Sequence, residues 1–161
     1  MTTGERIVTL RNFEEHPKAL AFIRSKAKRK MARAGRRGAK TVAVATMDIE
    51  DFLGWERVIN GVLVKSPPKR VLYTGPTKEQ TDTYWREVNL ALGDVCNEGI
   101  FHKNETERFI ENPKNPENRL KAKTVWDVDS ARGDYGDKLD LDEAQLMDGR
   151  AWYEVLQPML I

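Results

Sequence analysis

Residues 34–41 combine small, basic and hydroxyl side chains in an order that suits phosphate binding. They read Ala-Gly-Arg-Arg-Gly-Ala-Lys-Thr, close to the P-loop pattern Gly-x-x-x-x-Gly-Lys-Ser/Thr. In such a loop the backbone N–H groups surround phosphate oxygens, the lysine neutralises the outer phosphates and the hydroxyl ligates Mg²⁺. Both glycines of the pattern are alanine here, Ala34 and Ala39, and a Cβ at Ala39 disfavours a positive φ beside Lys40. The pattern predicts a nucleotide site, and a basic turn before a helix is the alternative.

An acidic pair late in the chain supplies the complementary chemistry. Residues 139–143 read Leu-Asp-Leu-Asp-Glu, a short apolar run that ends in Asp142 and Glu143, as in a Walker B strand. An aspartate at the strand tip holds Mg²⁺, and the glutamate beside it activates the attacking water. Lys138 and Asp140 place charge in a strand that is expected to be buried. If the strand lies at a sheet edge, Asp140 is simply solvated.

A third segment, residues 74–77, reads Thr-Gly-Pro-Thr after a short apolar run. A strand, a Pro-Thr turn and a helix at this position recur in ATPases that translocate DNA. The alternative is a tight turn in which Thr77 caps the following helix.

The elements that position these segments alternate between helices and strands. Helices are predicted at 16–28, from 40 to about 64 with Gly54 and Gly61 as points of breakage or bending, at 78–92 and at 149–156. Strands are predicted at 30–34, 70–74, 119–126 and 138–142, with two further extended segments at 99–103 and 107–111. This alternation predicts an α/β layered fold with a mainly parallel sheet flanked by helices.

Composition favours a globular domain and excludes several other classes. The 161 residues are 40% hydrophobic and 32% charged, and the longest apolar run falls short of the roughly 18 residues of a membrane span. One cysteine, Cys96, and two histidines argue against a disulfide framework or a zinc centre and favour a reducing cytoplasm. Residues 1–80 carry 17 Lys/Arg against 8 Asp/Glu, and residues 22–40 hold nine basic residues and no acidic one. Such a run binds phosphates or is a solvated helix face.

The order of these segments is similar to that in the ATPase domain of the large terminase subunit, which packages DNA into tailed-phage heads. The resemblance covers nearly the whole chain. It rests on the following stretches: His16-Pro17-Lys18, Gly35-Arg36-Arg37 leading to Lys40-Thr41, Tyr73 to Thr77, Asp129-Ser130-Ala131-Arg132-Gly133, Asp142 to Met147, and Trp152 through Pro158-Met159-Leu160. It implies an ASCE-type P-loop NTPase, here a partial domain with residues 1–28 as a helical lead-in, residues 29–161 as the nucleotide-binding core and no nuclease domain.

The resemblance also implies a role for each matching residue. The loop Ala34, Gly35, Arg36, Arg37, Gly38, Ala39, Lys40 and Thr41 would bind ATP. Thr41 and Asp142 would hold Mg²⁺, and Glu143 would activate water. Arg36 would sense the γ-phosphate within the subunit, and Arg132 would reach a neighbouring subunit's nucleotide; a surface position in a glycine-rich loop is the alternative for Arg132. Ala19 stands where the family usually places a glutamine that reads adenine.

The function that follows is ATP hydrolysis driving double-stranded DNA into a procapsid, in the cytoplasm of an infected bacterial host. The implied partners are double-stranded DNA, the portal protein, the small terminase subunit and further copies of the chain in a ring. Two alternatives stay open: a helicase-like ATPase, and a non-catalytic remnant that binds nucleotide, DNA or a partner. Ala39, Ala19 and the end of the chain soon after the acidic pair favour the remnant.

Overall fold

The computed structural model describes residues 6–34, 39–126 and 128–160, and these form a five-stranded mixed sheet with helices packed against it. The strand order is β4-β5-β6-β3-β7. A separate two-stranded antiparallel hairpin is formed by β1 and β2. The bounds of the strands are β1 Trp55–Ile59, β2 Val62–Ser66, β3 Val71–Gly75, β4 His102–Asn104, β5 Phe109–Asn112, β6 Asn115–Thr124 and β7 Lys138–Leu141.

In the part of the chain that the structure describes, three helices of eight or more residues accompany the sheet, followed by shorter helical turns near the carboxyl end. Their bounds are α1 Pro17–Arg24, α2 Lys40–Leu53, α3 Lys78–Asn97, α4 Val128–Ala131 and α5 Gly149–Ala151, with a 3-10 turn at Ala144–Leu146 and a π-helical turn at Trp152–Leu156. In the described ranges no helix combines the length and the hydropathy of a transmembrane span.

The α/β class is confirmed, but the sheet is mixed rather than mainly parallel. Strand β3 pairs in parallel with β6 on one side and with β7 on the other, whereas β4, β5 and β6 pair antiparallel. All five residues of β3 are buried, as expected for a strand with neighbours on both sides and helices on its faces. The carboxyl ends of β3 and β7 therefore meet at one edge of the sheet.

Two predictions near the amino end are wrong. Residues 30–34 form no strand, since Lys30 and Arg33 interrupt the short apolar run. The helix that begins at Lys40 ends at Leu53, because Gly54 has φ +75° and a Cβ there would lie 2.9 Å from the Pro68 ring. The predicted second half of that helix is the β1–β2 hairpin.

The hairpin turn explains this second error. Asn60 and Gly61 both have positive φ, +52° and +77°, which is the conformation of a two-residue type I′ turn. The apolar residues of this stretch, Val58, Ile59 and Leu63, fit helical spacing as well as strand alternation. The Asn60-Gly61 pair is the sequence signal that distinguishes a hairpin from a helix in this stretch.

The remaining predicted elements are confirmed with shifted ends. Helix α1 is shorter than predicted and α3 is longer, and the final helical stretch is a short α-turn followed by a π-turn. Strands β3, β6 and β7 and the paired β4 and β5 correspond to the five extended segments predicted between residues 70 and 142.

The main core lies between the sheet and helices α2 and α3. Phe52, Tyr73, Tyr84, Leu92 and Ile110 are fully buried there, and burying each large apolar side chain contributes about 1.5–3 kcal/mol. A second cluster joins Leu139 and Leu141 of β7 to the helical turns near the carboxyl end; its buried members are Val125, Ala151, Val155 and Leu156. A third cluster packs α1 against α2, with Phe13, Ile23, Ala43 and Met47 buried.

Candidate functional site

The amino end of α2 presents the lysine and the hydroxyl of the first motif. Lys40 and Thr41 are the first two residues of this 14-residue helix. Ala39 is the N-cap residue, lies in the left-handed region at φ +53°, ψ +22°, and contributes no side-chain cap. Its carbonyl accepts the Ala43 N–H at 2.9 Å, so regular helical bonding begins at once. The early N–H groups of the helix, with the positive end of its dipole, favour an anion.

The carboxyl end of β7 presents the two acids of the second motif. The Asp142 N–H donates to the Thr74 carbonyl at 2.9 Å, which extends the β3–β7 ladder by one bond beyond Leu141. Glu143 follows in the left-handed region at φ +48° and precedes a 3-10 turn. A positive φ in a residue with a Cβ costs of order 1–3 kcal/mol, and such strain is concentrated at functional sites.

The two motifs meet side chain to side chain. Lys40 Nζ donates to Glu143 Oε1 at 2.9 Å, although the two residues are 103 positions apart in the sequence. Thr41 Oγ1 donates to Asp142 Oδ2 at 3.1 Å across 101 positions. The Lys40 and Glu143 side chains are each about a quarter exposed, so solvent reaches them. The tertiary fold thus assembles an ammonium, a hydroxyl and two carboxylates at one helix terminus.

The neighbours of Glu143 set its charge. Hydrogen bonds from Lys40 first, and from Gln145 second, hold the pKa of the Glu143 carboxyl below its ordinary value. The carboxylate is therefore ionised at neutral pH.

Asp142 has a further partner that sequence reasoning missed. The Tyr73 hydroxyl donates to Asp142 Oδ2 at 2.7 Å, beside the Thr41 hydroxyl. Burial, followed by the Asp142 carboxylate, raises the pKa of Tyr73 far above its ordinary value, so the phenol keeps its proton and acts as a donor. Tyr73 is an apolar-face position of a buried strand, and nothing local in the sequence distinguishes it from a core residue.

Beneath this site lies a buried ionic cluster around Lys138. Its ammonium lies 2.6 Å from Asp48 Oδ1, 3.0 Å from Asp51 Oδ2 and 3.6 Å from Asp140 Oδ2. Burial opposes the charge of Lys138, but Asp48, Asp140 and Asp51 outweigh it and raise the Lys138 pKa above its ordinary value. Burial and the Asp140 carboxylate raise the pKa of Asp48, which is fully buried.

Strand β7 is not the buried central strand that a Walker B segment predicts, and the cluster also corrects the alternative that Asp140 is solvated at a sheet edge. Strand β7 is an edge strand of the sheet, yet the Asp140 side chain is only 16% exposed. Alternation along β7 directs Lys138 and Asp140 towards the acids of α2, while Leu139 and Leu141 pack in the second cluster on the opposite face. Lys138 therefore pairs with two acids of α2 and with Asp140 of its own strand, and both charged side chains of β7 are largely buried.

Two of the other predicted site residues, Ala34 and Arg132, are described, and no hydrogen bond or ion pair among the described residues joins them to this centre. Gly35, Arg36, Arg37 and Gly38 lie outside the described residues. Ala34 is exposed. Arg132 is 62% exposed and its guanidinium pairs with Asp129 at 3.4 Å. Thr77 caps α3, accepting the Gln80 N–H at 3.4 Å, so its predicted capping role is confirmed.

Part of the basic run is used inside the fold. Arg24 donates to both oxygens of Glu50, and Lys30 donates to the Phe22 and Ile23 carbonyls at the end of α1. Four further basic residues of the run are exposed: Lys26, Lys28, Arg29 and Arg33.

No protein-family model, curated protein or solved structure matches this chain.

Proposed function

We propose that this chain binds Mg²⁺-ATP at the amino end of α2 and hydrolyses it. The observation that carries the proposal is the meeting of Lys40 with Glu143 and of Thr41 with Asp142. A lysine and a hydroxyl in the first turn of a helix, facing an aspartate and a glutamate after a parallel strand, are the groups that phosphoryl transfer needs.

The described residues fit a nucleotide phosphate and one Mg²⁺. The amino end of α2 has no side-chain cap, and Lys40 adds a full positive charge beside it. No group of three or more acidic, histidine or cysteine residues suited to a metal occurs in the described ranges. Mg²⁺ in nucleotide sites does not require one, since one or two carboxylates, phosphates and waters complete its shell.

Each residue then has a separate task. Lys40 and the first N–H groups of α2 would hold the outer phosphates, and Thr41 and Asp142 would hold Mg²⁺, which neutralises charge on the phosphates. Glu143, ionised at neutral pH, would orient a water and accept its proton. The ammonium of Lys40 would be shared between Glu143 and the phosphates.

As a finer proposal, this ATPase is the module of a terminase-like motor, a P-loop NTPase that moves double-stranded DNA. The resemblance described above supports it, as do the exposed cations Lys26, Lys28, Arg29 and Arg33, which suit salt-sensitive contacts to phosphates without sequence preference. The exposed Arg132 is accessible to a neighbouring subunit in a ring. Portal protein and small terminase subunit are the partners that such a motor would have.

Phosphate release from ATP, with and without duplex DNA, tests the proposal. We expect Lys40→Ala to weaken nucleotide binding about 10- to 100-fold, because a charge-assisted hydrogen bond contributes about 1.5–3 kcal/mol. Lys65→Ala is the matched control, since Lys65 also pairs with a glutamate, Glu56, at 2.7 Å but on the β1–β2 hairpin.

The same assays separate the alternatives. Binding that depends on Lys40 without phosphate release, even at protein concentrations that favour rings, would support the non-catalytic remnant. Release coupled to strand separation of a forked duplex would support the helicase-like ATPase. Wild-type protein that neither binds nor hydrolyses ATP would refute the proposal.

A further inference from the structure

Asp142 Oδ2 receives two hydrogen bonds from two different elements. The Thr41 hydroxyl of α2 donates at 3.1 Å and the Tyr73 hydroxyl of β3 donates at 2.7 Å. Within the described residues no hydrogen bond reaches the other oxygen, Oδ1. The two donors therefore fix the plane of the carboxylate and the direction in which Oδ1 points.

Burial and stacking hold Tyr73 in place. Its side chain is fully buried, and its ring stacks on Tyr84 with centroids 3.7 Å apart and planes 6° from parallel. Strand β3 lies between β6 and β7, so its backbone is hydrogen-bonded on both sides. The phenol cannot turn away from Asp142 without disrupting the core.

The stacked partner is itself anchored to the ionic cluster. The Tyr84 hydroxyl donates to Asp48 Oδ2 at 2.8 Å, and Asp48 Oδ1 accepts from Lys138 at 2.6 Å. The two phenols are thus equally buried, lie against each other and donate to different aspartates. Only that of Tyr73 reaches a residue of the candidate site.

We propose that Tyr73 is a positioning residue that orients the Asp142 carboxylate for a divalent cation. This inference rests on the proposed Mg²⁺-nucleotide function and adds a residue from β3 to it. Groups that hydrogen-bond a metal ligand orient it, and their removal typically lowers metal affinity roughly 10- to 100-fold. Tyr73 would act on metal affinity and not on the phosphates directly.

Tyr73→Phe and Tyr84→Phe form a matched pair for the test. Each removes one buried hydroxyl that donates to an aspartate, and each retains the stacked ring. Nucleotide binding is titrated with MgCl₂ at a temperature below the thermal midpoints of all variants. We expect Tyr73→Phe to raise the Mg²⁺ concentration for half-maximal nucleotide binding roughly 10-fold and to leave the nucleotide affinity without metal unchanged. Tyr84→Phe should shift the Mg²⁺ concentration for half-maximal binding less than about twofold.

A double-mutant cycle supplies a second measurement. If Tyr73 acts through Asp142, adding Tyr73→Phe to Asp142→Asn will not raise the Mg²⁺ requirement further. Equal shifts in the two phenylalanine variants, no shift in either, or full additivity with Asp142→Asn would overturn the inference while leaving the proposed function intact. Wild-type protein without Mg²⁺-dependent nucleotide binding would instead overturn the proposed function, and this inference with it.

Discussion

Lys40 and Glu143 are 2.9 Å apart, and their ion pair joins the first residue of α2 to the second residue beyond β7. The contact places the Lys40 ammonium, to which we assign phosphate binding, next to the Glu143 carboxylate, to which we assign the activation of water. Because both side chains are partly exposed, the pair itself contributes little to stability, about 0–1 kcal/mol. Its importance is the position that it gives to the two groups.

Glu143→Gln separates binding from turnover. The amide keeps the shape of the side chain but cannot accept a proton, so we expect phosphate release to fall about 100- to 10,000-fold. Nucleotide binding should be retained, because Lys40 is then free of its anionic partner. Single-turnover hydrolysis and equilibrium binding measure the two effects. Glu117→Gln, at a remote carboxylate that accepts from the Tyr135 hydroxyl, should leave both unchanged. Loss of binding in Glu143→Gln would contradict the assigned role.

Ala39→Gly tests the strain at the start of α2. Alanine at φ +53° pays the left-handed penalty that glycine avoids, and we expect the substitution to stabilise the fold by about 0.5–1 kcal/mol. Urea denaturation measures the change. Ala43→Gly, four residues on in the same helix, should have the opposite sign and cost about 1 kcal/mol or more. Destabilisation by Ala39→Gly would show that the contacts of the Ala39 methyl with the third cluster, between α1 and α2, outweigh the strain.

Lys138→Met should be among the most damaging substitutions. It leaves Asp48 and Asp51 buried without their shared cation, and breaking such a pair costs about 3–5 kcal/mol. Lys69→Met is the matched control. Lys69 also pairs with Asp51, at 3.1 Å, but is about one third exposed, so its loss should cost less than about 1 kcal/mol. Chemical denaturation at pH 7 compares the two.

The loss of stability caused by Lys138→Met should also depend on pH. Without the cation, the pKa of Asp48 rises further above its unfolded value, so the folded state binds a proton more tightly than the unfolded chain. Such a group destabilises the fold above the unfolded pKa, and the penalty shrinks as pH falls through the folded pKa. The denaturation midpoint of Lys138→Met should therefore lie closer to that of the wild type at pH 5 than at pH 8. A deficit that is independent of pH would argue against ionised carboxylates as its cause.

Arg132→Ala tests the role of a neighbouring subunit. We expect phosphate release to fall about 1,000-fold or more at concentrations that favour rings, with nucleotide binding unchanged. Arg150→Ala is the control, since Arg150 is also a highly exposed arginine that pairs with a nearby aspartate. Mixing Arg132→Ala with Glu143→Gln should restore activity above the sum of the two, because one variant supplies the arginine and the other the water-activating acid. If the mixture shows no recovery of phosphate release, and Arg132→Ala and Arg150→Ala reduce phosphate release equally, Arg132 does not act on a neighbouring subunit.

The sequence was sufficient to locate the elements with strong local signals. The apolar run after Arg70 indicated β3, and Thr77 indicated the start of α3. It was insufficient at residues 55–66, where the spacing of the apolar residues fits a helix as well as a strand. The Asn60-Gly61 turn makes this segment a hairpin. It also identified Ala39 as the place where a positive φ would conflict with a side chain, and the structure has that conformation there.

By itself, the amino-acid sequence determined which residue types are present at two distant points of the chain, a Lys-Thr pair before a helix and an Asp-Glu pair after a strand. Local periodicity and turn chemistry act over a few residues, so they could indicate an α/β chain but not which strands are neighbours. Only the tertiary structure decided that β7 pairs with β3, which brings Asp142 to Thr41 and Tyr73, and that Lys138 and Asp140 face the acids of α2. Strand pairing depends on burial and on hydrogen bonds between residues that are far apart in the sequence, and these interactions form only when the chain folds.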